Sequence, residues 1–456
     1  MKRMGALFGA LASACAFASS PSASVTGVSQ NADGDIQIDY ALAGGPAIVT
    51  LELTTNGAPV AASALRSLDG DVNRLVTSAT GVITWRADVD IPEAMFAAGD
   101  VTAALTAWPV DNPPDYAVIP LSSNVFEQVR YYASSDALPG GLLENDEYRL
   151  TKMVMRRIRA KGVPAVMGGV PSEPSYYANS ELGGATDVTL DHDFYMAVFE
   201  VTGAQWHELG VDAAYAKHIP TTIKYMVDEA RRPCTAVRYY SLRGVNGEEL
   251  KKADDDPTAD PPAGSLLANA RNLTGLAFDL PTEGEWEFAC RAGTGHGYWN
   301  NGASITNTSD YAGKANACVD LGFPGRYEYN GGYVFDGTQS KWVEPAADAD
   351  VTIGPAVVGS YEPNAFGLYD MHGNVREWCL DFWKDDARSL HGALNTTYYE
   401  SSSYPDYGVH VMRGGGFPHT AKECRASWRN GERTSNSYMG IGVRLVCPCP
   451  LTAAAE

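Results

Sequence analysis

The chain lacks the short signatures by which many enzymes are recognised. No C-x-x-C pair occurs among its 8 cysteines, which argues against structural zinc and thioredoxin-type exchange. Its 8 histidines never fall at H-x-H, H-x-x-x-H or H-E-x-x-H spacing, so no metal-binding helix is indicated. A phosphate loop, a dinucleotide fingerprint and a G-x-S-x-G nucleophile turn are missing too. Positive charge is scarce: 34 Lys and Arg stand against 55 Asp and Glu, a net charge of -21. That balance argues against nucleic acid or anionic lipid as a partner, because phosphate binding needs a basic surface. Beyond the first residues no apolar run reads as a transmembrane helix. No internal repeat is found.

What is present begins with an export signal. Lys2 and Arg3 precede an apolar run over 4–17, and Ala16-Phe17-Ala18 offers a small-x-small cleavage site, with a later cut near Ala23 as the alternative. The signal is assigned to 1–23. Cys15 faintly resembles a lipoprotein box but lacks the usual leucine three residues earlier, so plain export is preferred to lipidation. The expected location is periplasmic, cell-surface or secreted. Export implies an oxidising compartment. The seven cysteines left are Cys234, Cys290, Cys318, Cys379, Cys424, Cys447 and Cys449. Their odd number leaves at least one outside any intrachain disulfide.

Residues 24–122 alternate apolar and polar positions, as at Ile36, Ile38, Tyr40 and Leu42, at Val49, Leu51 and Leu53, at Ile83, Trp85, Ala87 and Val89, and at Val101, Ala103, Leu105 and Ala107. Period-2 alternation over short runs, punctuated by NADG and GGP, predicts an all-β immunoglobulin-like sandwich. Residues 123–150 read as a linker, 151–447 as a second domain of α+β class, and 448–456 as a tail. In the second domain Thr202 and Gln205, and Thr282 and Glu285, form S/T-x-x-E/Q capping boxes that start helices. Trp286, Ala289 and Cys290 fall on one helical face, a core pattern. The acidic, Pro-rich KKADDDPTADPPAG over 251–264 reads as a solvated loop.

The stretch NAFGLYDMHGNVREWCLDFW over 364–383 sets Asp370 and Glu377 seven residues apart, with Gly373 and Asn374 between them. A turn there can aim backbone carbonyls between two carboxylates, an oxygen cage of the kind a hard cation such as calcium requires.

The ordered series DFYMAVFEVTGAQW, LPTEGEWEFACRAGT, NAFGLYDMHGNVREW, VMRGGGF, RASWRN and IGVRLV resembles the sulfatase-modifying-factor, or formylglycine-generating-enzyme, family across 151–447. The resemblance implies a C-type-lectin-like fold with bound calcium. It matches Asp370 and Glu377 to side-chain ligands and Gly373 and Val375 to backbone ligands. Arg376 stands where the family's enzymes carry a substrate-facing tryptophan. Those enzymes oxidise a client cysteine to formylglycine with O₂ and Cu(I) held by two thiolates, soft ligands that favour Cu(I). Here that pair is not intact. Counting without a gap from Gly414-Gly415 sets His419 on the first thiolate and Cys424 on the second. Aligning on RASWR, the preferred match, leaves both missing. Copper is therefore not expected, and Cys424 and His419 are weak catalytic candidates only. The resemblance also implies a Cys379–Cys424 disulfide, because REWC and ECR flank motifs that lie together in the family fold. Two functional readings follow. One is a recognition module whose 414–438 face, with Arg376, His419, Arg425, Trp428 and Arg429, binds an exported or cell-surface protein or a glycan; the competing roles are Trp428 in the core and Arg429 in an internal ion pair with a carboxylate such as Glu377 or Asp381. The other is an oxidoreductase that modifies a side chain of an exported client.

Overall fold

A computed structural model describes residues 20–451, apart from 93–95, 122–128, 170–183, 211–228, 245–254, 296–323, 329, 332–333, 337–340, 344–353, 388–389 and 397–407. Most of the expected signal segment, with Cys15, lies outside the described residues, as do Cys318 and the end of the tail. The chain divides into two compact units, Met1–Tyr148 and Arg149–Glu456.

The first unit is built on the alternation seen in the sequence. Strands β1 (Ser22–Gln30), β2 (Ile36–Ala43), β3 (Ala47–Thr55), β4 (Ala58–Pro59), β5 (Leu68–Gly70), β6 (Arg74–Val76), β7 (Thr80–Trp85) and β8 (Val101–Pro109) make two antiparallel sheets. One sheet has the order β1-β2-β7-β5; in the other, β3 pairs β8 along its whole length and β6 and β4 along its other edge. Ile36, Ile38, Tyr40 and Leu42 of the first sheet share one core cluster with Ala47, Val49, Leu51 and Leu53 of the second. The period of two therefore does its expected work, placing every second side chain between the sheets. Val89 departs from the expected alternation and is exposed. The chain leaves β7 after Trp85, and the Asp90 carboxylate accepts from the Trp85 Nε1 and the Ser67 N–H, which holds 87–90 in a helical turn instead of a strand. The stretch read as a linker, 123–150, carries a strand, β10 (Arg130–Tyr132), which pairs antiparallel with β9 (Tyr116–Pro120) before it, and residues to Tyr148 cluster with the first unit.

The second unit is mixed, with short strands and few helices among its described residues. Strands β11 (Lys152–Ile158), β14 (Phe194–Ala197) and β21 (Val446–Pro448) form one antiparallel ladder, and β12 (Pro164–Met167) pairs β13 (Thr186–Thr189). A small hairpin joins β15 (Val334–Asp336) and β16 (Lys341–Val343). Strands β19 (Arg429–Arg433), β18 (Val409–Arg413), β17 (Arg376–Phe382) and β20 (Ile441–Gly442) form the sheet that carries the candidate site, with β20 parallel to β17. Helices α1 (Gly203–Glu208), α2 (Tyr239–Arg243), α3 (Leu266–Thr274) and α4 (Glu283–Arg291) surround these sheets. Both expected capping boxes are formed: the Gln205 N–H donates to Thr202 Oγ1 and the Glu285 N–H to Thr282 Oγ1. Trp286, Phe288, Ala289 and Cys290 of α4 pack with Cys379, Val411, Leu368 and Met371 in one core.

The cap of α4 extends to the surface. Glu285 Oε2 accepts from the Thr282 N–H at 2.7 Å, while Glu285 Oε1 lies 2.9 Å from Nε2 of the half-exposed His192. The Glu285 hydrogen bond raises His192 to about 9, against an unfolded value near 6.5. A raised folded value means that this contribution is fully present below about pH 6.5 and is lost as pH rises through about 9. Thermal melts between pH 6.5 and 9.5 are expected to show stability falling with pH. His192→Gln should remove that part of the slope, and an identical slope in the variant would refute the assignment.

Candidate functional site

The turn before β17 takes its shape from three left-handed residues, Asp370, Gly373 and Asn374. Gly373 is required twice over: its φ is positive, and a Cβ there would lie 2.2 Å from the Arg326 carbonyl oxygen. The turn is held from inside by Glu200, whose carboxylate accepts from Asn374 Nδ2 at 2.6 Å and from the Val375 N–H at 3.0 Å. Glu377, first pair of β17 with β18, is fully engaged: Arg444 donates to both of its oxygens and Trp286 Nε1 to Oε2. Asp370 Oδ2 accepts from the Gly359 N–H, and its buried Oδ1 has no hydrogen-bond partner. Burial raises Asp370 to about 6. Burial, with the nearby Asp370 and Glu377, holds Glu200 well above the ordinary carboxylate range.

Three buried carboxylates thus face one guanidinium. The charge surplus and the orphaned Asp370 oxygen fit a bound cation. Glu377, however, is already satisfied by Arg444 and Trp286, and no group of three or more acidic, histidine or cysteine side chains among the described residues is arranged around a common metal position.

A second buried ionic network lies one strand away. Arg429 donates to both Glu283 oxygens at 2.7 Å and stacks over Trp383, 4.3 Å from the ring centroid. Arg413 pairs with Glu287 and lies over Trp286, and Glu287 also binds Arg291. Burial works against the charge of Glu283, but Arg429 and Arg413 outweigh it and leave its carboxyl below the ordinary value. Arg429 is therefore held inside the core, away from any binding face.

The remaining residues gather around the short 3-10 turn Ala421–Cys424. Cys424 is fully buried and packs against Gly415; its carbonyl accepts from His372 Nδ1 at 2.9 Å. Burial pushes His372 down to about 4, so the ring is neutral at physiological pH, and Cys290 Sγ lies 3.8 Å from its Nε2. Burial, followed by the nearby Arg376, holds His419 well below its usual value, and its Nδ1 is buried with no partner. Arg376 pairs with Glu423 at 2.9 Å. Lys422 and Arg425 lie 5.2 and 5.9 Å from the Trp428 ring centroid, and the Trp428 Nε1 has no hydrogen-bond partner. Half-buried Glu328 is raised to about 7 by burial and by Glu423.

The structure thus brings the partly exposed Arg376, His419 and Trp428 to one segment and its strand neighbour, whereas Arg425, like Arg429, is buried. The expected Cys379–Cys424 disulfide is not formed, and no disulfide occurs among the described residues. Cys379 sits in the core among Glu283, Asp381 and Arg413, whereas Cys424 packs on Gly415 beside Arg376, so the two sulfurs look into different surroundings. Glu200 and Arg444 were not singled out from sequence. Their signal was a lone charge inside an apolar run, MAVFEV and IGVRLV, which is rare in a core unless the charge is paired.

Residues 151–448 match the family model described as Sulfatase-modifying factor enzyme 1-like domain. A formylglycine-generating enzyme of Thermomonospora curvata is 30% identical over 161 residues, which cover 35% of this chain and 44% of that protein. That of Streptomyces coelicolor is 29% identical over 230 residues, 48% of this chain and 63% of the relative. Chaperone protein LppX of Paenibacillus barcinonensis is 27% identical over 208 residues, 43% of this chain and 64% of the relative. In each case the chain spans less than two thirds of the relative's length.

The two arginines of the segment are expected to respond differently to truncation. Arg429→Met strands the buried Glu283 and should cost about 3–5 kcal/mol in urea unfolding. Arg376→Met leaves the partly exposed Glu423 and should cost roughly 1 kcal/mol. Equal costs would contradict the separation of core from face.

Proposed function

The chain belongs to the sulfatase-modifying-factor family, matched from residue 151 to residue 448, and from that premise we propose that it is an exported recognition protein, stabilised by Ca²⁺, that does not generate formylglycine. In this reading the second unit has a C-type-lectin-like fold and the first is an immunoglobulin-like sandwich that serves attachment or partner binding. Among the described residues no helix is long and apolar enough to cross a membrane.

One observation carries the reading against oxidase chemistry. Where the family's copper centre needs two thiolates, the ungapped match supplies an imidazole, His419, and a single fully buried thiol, Cys424. One sulfur and one imidazole do not supply the two-thiolate ligand field that favours Cu(I), so the residues do not fit that centre. The segment offers recognition chemistry instead. Trp428 is partly exposed with Lys422 and Arg425 beside its ring, and Tyr438 of the same 414–438 stretch is 56% exposed. Aromatic faces beside donors suit a glycan or a protein surface with acceptor groups. Purified protein given a C-x-P-x-R peptide, O₂ and Cu(I) is expected to form no aldehyde. Stoichiometric copper with aldehyde formation would establish the oxidoreductase reading in its place. Trp428→Ala is expected to weaken capture on a glycan or surface-protein array by at least about tenfold, the loss of about 1.4 kcal/mol. Unchanged capture would move the ligand elsewhere.

For Ca²⁺ the supporting feature is Asp370 Oδ1, buried and unsatisfied, with the carboxyl groups of Glu200 and Glu377 close enough to act on one another. Asp370, with the carbonyls of Gly373 and Val375, would hold the ion, and Glu377 would contribute negative charge from its place on Arg444. The ion would supply only charge neutralisation and stiffness to the turn. At about a hundred times its dissociation constant it would add roughly 2.7 kcal/mol of stability. Chelation is expected to lower Tm, and Asp370→Ala to abolish that sensitivity. A melting curve indifferent to chelator and to added Ca²⁺ would refute the site.

A further inference from the structure

His410 is the second residue of β18, has no solvent exposure and belongs to neither ionic network described above. Its ring stacks on Tyr239 at 3.7 Å between centroids and 15° between planes, and tilts against Phe382 at 4.3 Å. Trp378 closes the group edge-on to Tyr239. On one side Nδ1 lies 3.1 Å from the carbonyl oxygens of both Leu380 and Asp381. These oxygens point inward because the β17–β18 register breaks between Trp378 and Phe382. On the other side Nε2 lies 3.1 and 3.2 Å from the two oxygens of Asp255, whose side chain is almost fully buried. A Cβ at Gly408 would lie 2.1 Å from Asp255 Oδ2, so the glycine leaves the space that this carboxylate fills.

Asp255 comes from the acidic insertion expected to be a solvated loop. Its neighbours are anchored as well: Arg243 takes the carbonyls of Pro257 and Ala259, and Asp260 pairs with Arg271 at 2.7 Å. The pocket that receives Asp255 has the parts of a receptor for a carboxylate. Carbonyl oxygens only accept, so Nδ1 must donate to them. With a hydrogen on Nε2 as well, the near-equal approach of the two carboxylate oxygens becomes a charge-assisted contact between aromatic walls. We propose that His410, Tyr239, Phe382 and Gly408 form a carboxylate-binding niche, filled in this chain by its own Asp255, and that occupancy of the niche pins residues 255–260 to the sheet of β17 and β18.

The test uses the full chain. Asp255→Ala empties the niche without touching its walls, and Tm is expected to shift down. Formate or acetate should then raise Tm along a saturating curve, whereas formamide and matched sodium chloride should not. The unsubstituted protein and the double variant Asp255→Ala/His410→Phe should show no saturable gain. A gain of equal size in all three proteins, or none in Asp255→Ala, overturns the niche. Long-range ¹H–¹⁵N spectra of the unsubstituted protein give a second measurement that does not depend on a variant folding. Both His410 ring nitrogens should carry protons, and a bare Nε2 would overturn the proposal.

Discussion

Arg444 is the group on which the second unit depends. It is fully buried and donates to both oxygens of Glu377 and to the carbonyls of Ala197, Val198 and Tyr369. One guanidinium therefore joins the end of β14, the turn before β17, β17 itself and the C-terminal run. A planar donor set with fixed directions can do this, whereas a lysine could not. A buried charge costs several kcal/mol to desolvate and is tolerated only when its donors are satisfied. The pairing with Glu377 meets that condition and leaves little freedom in how these four segments can be arranged.

The second network uses the same physics. Glu283 and Glu287 reach from α4 to Arg429 and Arg413, Glu287 also pairs with Arg291 one turn on in the same helix, and Trp286 lies under Arg413. With Trp286 also donating to Glu377, the helix, the sheet and the turn are coupled through a single indole. This rigid interior, to which the fully buried Arg425 also belongs, supports an outer segment where Arg376, Glu423, Lys422 and Trp428 lie nearer to water. The contrast separates the buried arginines that hold the fold, Arg413, Arg425, Arg429 and Arg444, from the partly exposed Arg376.

Much of the organisation was legible in the residues. Period-2 alternation at Ile36, Ile38, Tyr40 and Leu42 marks strands because each side chain reports its own face. Thr282 and Glu285 mark the start of α4 because both halves of a capping box lie within four residues. The turn at Asp370–Asn374 could be anticipated from Gly373, since few other residues accept its backbone. These signals are local, and local chemistry fixes the dihedral angles they describe.

The amino-acid order by itself determined the two-part architecture, the strand faces, the helix starts and the membership of a family carried by ordered motifs. Tertiary structure alone decided which charges meet. That Glu377 would be spent on Arg444, that Arg429 would turn inward to Glu283 and that Cys379 and Cys424 would not bond could not be read from spacing. Nor could the burial of Asp255 against His410, 155 positions away. Periodicity states which face a residue occupies but not what stands opposite, and an ion pair depends on both partners reaching the same few ångströms after the chain has folded.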